Sequence, residues 1–322
     1  MVKIAFFSDH LNERGTSQAI FDYAHYNETL LGNKSIIITL KGSNYHEDLA
    51  IDKFKNRFSL FFCDKIEDCQ DFLKDCDIFY CIKYGKNNHY LPLKIKNVVH
   101  CVFDMSEPHG DVYAGVSESL AKKFNNTLFV PHMISLIPSI NKDDNLRTIL
   151  NIPENAVVFG RHGGQDTFNI QFVIDVITNN IVQMYPNIYF VFVNTPIFIH
   201  HTNVIFLNKI MTNEEKNQFI NTCDAHLECG TLGHSFGISI GEFSVNNKPI
   251  IAYGGDTWNN AHKDILGNKA IYFYDSIDFY NILTTFDPIE YKNKDLNCYK
   301  EYTPEKVMKK FKEVFIDRKM SL

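Results

Sequence analysis

Three glycine-bearing turns, each after an apolar run and before a helical pattern, are the places where this chain offers bare backbone amides. They span residues 8–17, with Gly15; 159–166, with Gly160; and 230–242, which reads GTLGHSFGISIGE. In a parallel sheet such turns lie at the carboxyl ends of strands, where amides and a helix N-terminus together favour an anion such as phosphate. In the third turn Gly233 and Gly237 flank His234, Ser235 and Phe236, which puts free amides at a helix start. Glu242 then falls roughly one and a half turns into that helix, at ~3.6 residues per turn. The spacing suits amides that take a diphosphate or a sugar and a carboxylate that reaches a ribose hydroxyl; a loop cap or a solvated acid is the weaker reading for a glutamate between Gly241 and Phe243. Neither the G-x-G-x-x-G nor the Walker spacing occurs, so dinucleotide and P-loop chemistry lose most of their support. Taken alone, the Gly15 turn reads as ordinary strand-to-helix punctuation.

The elements that must hold these turns alternate. Apolar runs at 3–8, 34–40, 57–62, 77–82 and 97–103 read as strands, with helical spacing at 16–31, 66–73 and 118–123 between or after them. A looser proline-bearing and polar stretch at 129–153 reads as a linker. A second series follows, with strands at 156–159, 188–193, 204–207, 225–227, 249–252 and 270–273 and helices at 168–184, 213–222, 237–245 and 277–283. Thr212 to Glu215 fits a capping box, and Thr303-Pro304 fits an N-cap with proline in the first turn. The alternation predicts an α/β chain of two parallel-sheet domains, 1–135 and 136–303, with a last helix at 304–322 that packs against a domain, back on the first in our reading.

The 322 residues suffice for two cores, and 45% hydrophobic with 22% charged residues is near the globular average. A net charge of −6 argues against nucleic acid as a partner. No apolar run approaches the ~20 residues of a membrane helix, and the start lacks a cleavage pattern, which sets the expectation of a cytoplasmic protein. The eight cysteines form no C-x-x-C pair and read as reduced, buried residues.

The residues around the third turn resemble the donor-site segment of family 4 retaining glycosyltransferases of the GT-B fold, whose hallmark is two glutamates separated by seven residues with G-F-G or S-F-G near the first. Ser235-Phe236-Gly237 and Glu242 match, as do Gly160-Arg161 after the second domain's first strand and the Val130-Pro131 segment between domains. The resemblance covers the C-terminal half well and the N-terminal half mainly through architecture and the Gly15 turn. It implies two Rossmann-like domains facing a central cleft, a nucleotide diphosphate sugar as co-substrate, no cofactor or metal, and a glycan, lipid or protein acceptor. By the same resemblance Glu242 holds the ribose, Arg161 the departing diphosphate, and Gly15, Gly160, Gly233, Ser235, Phe236 and Gly237 border the donor. Two departures stand out. His234 occupies the place of the first glutamate, which in the family touches the transferred sugar, and the family's lysine is missing after Arg161.

The resemblance also puts the end of the strand at 97–103 beside the reacting groups. His100 and Asp104 are therefore candidate catalytic residues, and Glu107 and His109 candidates for the acceptor side. Their spacing fits neither H-x-x-x-H nor a facial triad, so metal binding is the minority reading. For His100 a core role is equally open. Asn194, Thr195 and Pro196, with Ile210 or Met211, are expected to flank the nucleobase, a core role for the last two being about as reasonable. A catalytically idle GT-B protein that binds a nucleotide sugar or glycan is the alternative function, and a two-Rossmann epimerase a third.

Overall fold

The computed structural model describes residues 1–87, 91–92, 94–207 and 212–318. The chain divides into two compact units, Met1–Ser135 with Glu301–Leu322, and Leu136–Lys300. No helix among the described residues is long and apolar enough to cross a membrane. Ile210 and Met211 lie outside the described residues.

The first unit is built on six parallel strands: β1 (Lys3–Ser8), β2 (Lys34–Leu40), β3 (Ser59–Cys63), β4 (Ile78–Lys83), β5 (Lys96–Cys101) and β6 (Val112–Gly115), in the order β3-β2-β1-β4-β5-β6. The runs KIAFFS, KSIIITL and IFYCIK form the middle of the sheet, and their continuous apolar character follows from burial on both faces. The order doubles back between β1 and β4, and that reversal opens a crevice at the carboxyl ends of those strands. β6 and the short helix Asp48–Lys55 went unread in the sequence, one for its four-residue length and the other for its eight-residue length with only Ala50 and Phe54 buried.

The helix Pro304–Phe311, continued by a π turn through Lys312–Ile316, belongs to this unit. Pro304 opens it, as the sequence suggests, although Thr303 makes no side-chain cap. Phe311 packs on Phe6, Tyr23 and Tyr80, with ring centroids 6.3, 5.2 and 5.7 Å away, and Phe315 lies 5.0 Å from His100. Each fully buried Phe contributes about 1.5–3 kcal/mol.

That cluster corrects the sequence reading of His100. The imidazole is fully buried: Nε2 donates to the carbonyl of Val130 at 2.8 Å, and Nδ1 accepts from the Tyr80 hydroxyl at 2.6 Å. Burial pushes its pKa down to about 4, so it is a neutral core residue whose two nitrogens are both engaged. The side chain is covered because β5 is buried on both faces, with Val98, Val99, His100 and Cys101 all fully buried.

The second unit repeats the winding with β7 (Val157–His162), β8 (Ile188–Val193), β9 (Val204–Leu207), β10 (Ala225–Glu228), β11 (Gly233–His234), β12 (Ile250–Tyr253), β13 (Asn259–Asn260) and β14 (Ile271–Phe273). Its six-stranded sheet runs β14-β12-β10-β7-β8-β9, all parallel, and β11 pairs with β13 in a small separate ladder. The core is phenylalanine-rich, with Phe159, Phe190, Phe192, Phe273 and Phe279 all fully buried. Here the reversal falls between β7 and β10, so their carboxyl ends, at His162 and Glu228, mark the ligand-binding position of this type of sheet.

Candidate functional site

The second unit gathers an unusual set of ionisable side chains at that reversal. Glu242 is the fifth residue of the helix Ile238–Val245, and it is only 3% exposed. Lys216 Nζ, from the helix Asn213–Thr222, lies 2.5 Å from Glu242 Oε1. His162 Nε2, at the end of β7, lies 3.0 Å from Oε2, at ion-pair distance but not aligned as a hydrogen bond. Burial works to raise the Glu242 pKa, but Lys216 and His162 outweigh it and hold the carboxyl at about 2. The helix that carries Lys216 begins where the sequence says it should: Thr212 Oγ1 accepts from Glu215 N–H at 3.1 Å, and the Glu215 carboxylate accepts from Thr212 N–H at 3.0 Å.

A second buried acid of this unit was missed in the sequence. Glu228 ends β10, is 5% exposed, and places Oε2 at 2.9 Å from His234 Nε2 and 3.8 Å from His226 Nε2, while Oε1 accepts the Gly230 amide at 3.1 Å. Burial raises its pKa, yet the two histidines together keep the carboxyl well below the usual range. His226 is fully buried and pushed down to about 4 by that burial. Among the described residues no group of three His, Cys, Asp or Glu is arranged to hold a metal ion.

His234 is positioned by the β11–β13 ladder. Gly233 has φ +62°, and a Cβ there would meet the Asn259 carbonyl oxygen at 2.0 Å, so only glycine lets β11 approach β13. The His234 amide then donates to His262 Nδ1 at 3.3 Å, which leaves the proton of that ring on Nε2; burial keeps His262 neutral, with a pKa of about 3. Gly237, with φ 86° and ψ 68°, sits in the left-handed region and opens the helix that carries Glu242. Ser235 is buried, and Phe236 faces inward against Tyr299, whose hydroxyl donates to the Phe236 carbonyl at 2.9 Å.

The Gly160-Arg161 pair differs from its sequence reading. β7 extends through both residues, pairing Arg161 with Phe192 and His162 with Val193. A Cβ on Gly160 would lie 2.1 Å from Cys223 Sγ, so this glycine exists for strand-to-helix packing and offers no amide to a ligand turn. Arg161 is 2% exposed; Nη1 donates to Thr195 Oγ1 at 2.5 Å, and Nη2 donates to the Gly164 carbonyl at 2.8 Å and to Thr167 Oγ1. Its guanidinium is a brace for the loops after β7 and β8. Asn194, at φ 51°, donates from Nδ2 to the Gly163 carbonyl at 2.8 Å and serves the same frame.

In the first unit the structure brings Asp104, Glu107 and His109 together and leaves His100 out. Lys86 Nζ lies 3.4 Å from Asp104 and 3.2 Å from Glu107, Ser106 caps Asp104 Oδ1 through N–H and hydroxyl at 2.7 and 2.6 Å, and Lys83 Nζ stands 3.3 Å from His109 Nε2. Burial of Asp104 works upward on its pKa, but Ser106 and Lys86 prevail and lower it. Gly15 is the first residue of the helix Gly15–Thr29, after a turn in which Asn12 Oδ1 accepts the Arg14 amide at 3.0 Å.

No protein-family model matches the chain, and no curated protein does. Among solved structures it is similar to HepE of Anabaena in complex with UDP and glucose, with a TM-score of 0.76 over 99% of this chain and 100% of that one at 13% identity. It is also similar to a glycosyltransferase from Rickettsia africae, with a TM-score of 0.71, 10% identity and coverage of 98% and 99%, and to the trehalose-6-phosphate synthase OtsA, with 0.63, 10%, 99% and 100%. The fold is GT-B.

Proposed function

We propose that the chain is a glycosyltransferase that takes a nucleotide diphosphate sugar on its second unit and moves the sugar to a glycan, lipid or protein acceptor, with retention and without a metal. The observation that carries this reading is the buried pair of acids, Glu228 and Glu242, brought with His234 to the carboxyl ends of β7 and β10 next to a helix opened by left-handed Gly237. In the proposal the amides at that helix start stabilise the diphosphate as it leaves, Glu242 accepts from the ribose, and His234 meets the sugar. The anomeric C–O bond to the diphosphate breaks, one to the acceptor oxygen forms on the same face, and the acceptor proton passes to the departing phosphate. Asp104, Glu107 and His109 are assigned to the acceptor. The complex of HepE with UDP and glucose supports a donor of this class.

Thermal-shift measurements against UDP-, GDP- and ADP-sugars test it: a donor at about 100 times its Kd adds roughly 2.7 kcal/mol to stability. Silence across all three groups refutes the donor assignment. With an acceptor in hand, NMR of the product reads the anomer, and EDTA leaves the rate unchanged. The burial of Arg161 among Thr195, Thr167 and Gly164 favours one second reading, an idle binder of nucleotide sugar; donor binding without turnover, on a par with a Glu242→Ala control, identifies it.

A further inference from the structure

The Glu242 carboxylate is almost covered, and what covers it is a lysine. Lys216 approaches from a different element, its side chain 14% exposed, and closes on Oε1 at 2.5 Å, while His162 occupies the other oxygen. Among the described residues, Lys216 and His162 are the charged groups that act on this carboxylate. Set against apolar residues of the same size, a buried lysine–glutamate pair adds little stability, because desolvation of two ions offsets most of their attraction, although removing one partner alone is costly. Its place calls for another explanation. Glu242 stands about 7.5 Å along the helix from Gly237, at 1.5 Å per residue. The nearby arginine has both terminal nitrogens engaged by its own loops. Lys216 has four rotatable bonds and one ionic partner, and it is the cation of this cluster with freedom to move.

We propose a counter-ion exchange: Lys216 neutralises Glu242 in the free protein and swings to the diphosphate when the nucleotide enters, which uncovers the carboxylate for the ribose. The inference rests on the donor reading above. It makes the diphosphate itself the trigger, so a nucleoside, which brings ribose and base but no charge, meets a covered acid.

The test is a two-by-two set of variants read by calorimetry with uridine and UDP, guanosine and GDP, and adenosine and ADP. In the wild type the diphosphate binds at least 10-fold tighter than its nucleoside. Lys216→Met reduces that preference to within about 3-fold, by weakening the diphosphate while the nucleoside holds or improves. Glu242→Gln keeps the preference, since Lys216 is released and not removed. The double variant K216M/E242Q, which leaves no unpaired buried charge and so guards against a folding defect, loses the preference as K216M does. Equal losses for nucleoside and diphosphate in K216M overturn the proposal, as does a preference that follows Glu242. Carboxyl ¹³C NMR of the ligand-free protein reads the first half separately: the Glu242 resonance titrates at higher pH in K216M, and an unchanged titration refutes the pairing. If no nucleoside or nucleotide binds the wild type, the donor reading fails and the exchange with it, whatever the NMR shows.

Discussion

Replacing Gly160 with alanine separates packing from ligand contact at the turn after β7. The new Cβ would stand 2.1 Å from Cys223 Sγ and 2.9 Å from Cys223 Cβ. Ordinary contact begins near 3.4 Å, so the sulfur must retreat by 3.4 − 2.1 = 1.3 Å. It has nowhere to go: Cys223 is fully buried, and its Sγ lies against the Phe219 carbonyl at 3.1 Å. Turning the sulfur away still leaves the Cβ–Cβ approach, so the backbone of β7 or of the helix Asn213–Thr222 must move. Overpacking of this kind costs about 1–3 kcal/mol, and two contacts on one short buried side chain put this case near 3 kcal/mol. For a unit of this size that lowers Tm by roughly 6–12 °C, at about 2–4 °C per kcal/mol. Urea unfolding and calorimetry measure it, and Cys223→Ala in the same chain recovers part of the loss, since it removes the closer of the two clashes. A Gly160→Ala protein that melts like the wild type but no longer binds nucleotide refutes the argument and returns this glycine to the ligand.

Two further outcomes follow from buried ionisable groups. His100 has a folded pKa of about 4 against an ordinary 6.5, so as pH falls below 6.5 the unfolded chain takes up the proton first and stability drains away down to about pH 4. The loss is about 3 kcal/mol at ~1.36 kcal/mol per unit; His100→Gln is less stable at pH 8 but shows a shallower acid limb in urea midpoints, and parallel limbs would contradict the burial argument. Glu242 has the same sense in a more acidic window: with a folded pKa of about 2 against 4.5, its ionised form stabilises above pH 4.5, and that contribution is lost as pH falls towards 2. Glu242→Gln therefore differs from the wild type by on the order of 3 kcal/mol at pH 7 and converges with it near pH 2, as followed by far-UV circular dichroism in urea.

The sheets were legible because they are made of the one signal that sequence carries strongly, uninterrupted β-branched and aromatic runs such as Ile36-Ile37-Ile38 and Phe190-Val191-Phe192 at regular intervals. The third turn was legible in its backbone: Gly233 and Gly237 both take positive φ, a conformation that glycine adopts readily. What misled was charge at strand ends. Arg161 and His162 look like loop residues, yet β8 offers them pairing partners and the strand runs on, which buries the guanidinium that was expected to face a diphosphate. Glu228 was lost in the same way, when the strand was ended one residue early at Leu227. The alternation His226-Leu227-Glu228 was the available signal, since in a strand it sends the histidine and the acid to one face.

Lys216 left no local signal at all. It lies 26 residues before Glu242, on the exposed-looking run NEEKNQ, and reads as one more solvated charge. Its partner is decided by topology: the helix that carries it leads into β10, and β10 lies next to β7, so the first turn of that helix comes down beside the end of β7 and the side chain of Glu242. A buried lysine is thus present in space beside Glu242 though the residues after Arg161 hold none, on an element that pairwise spacing could not connect to it. Sequence motifs encode a site only where one turn holds it; where a sheet reversal assembles it from β7, β10 and two helices, winding order does the assembling, and the ionic pairs Glu242–Lys216 and Glu228–His234 become visible only after the strands are in place.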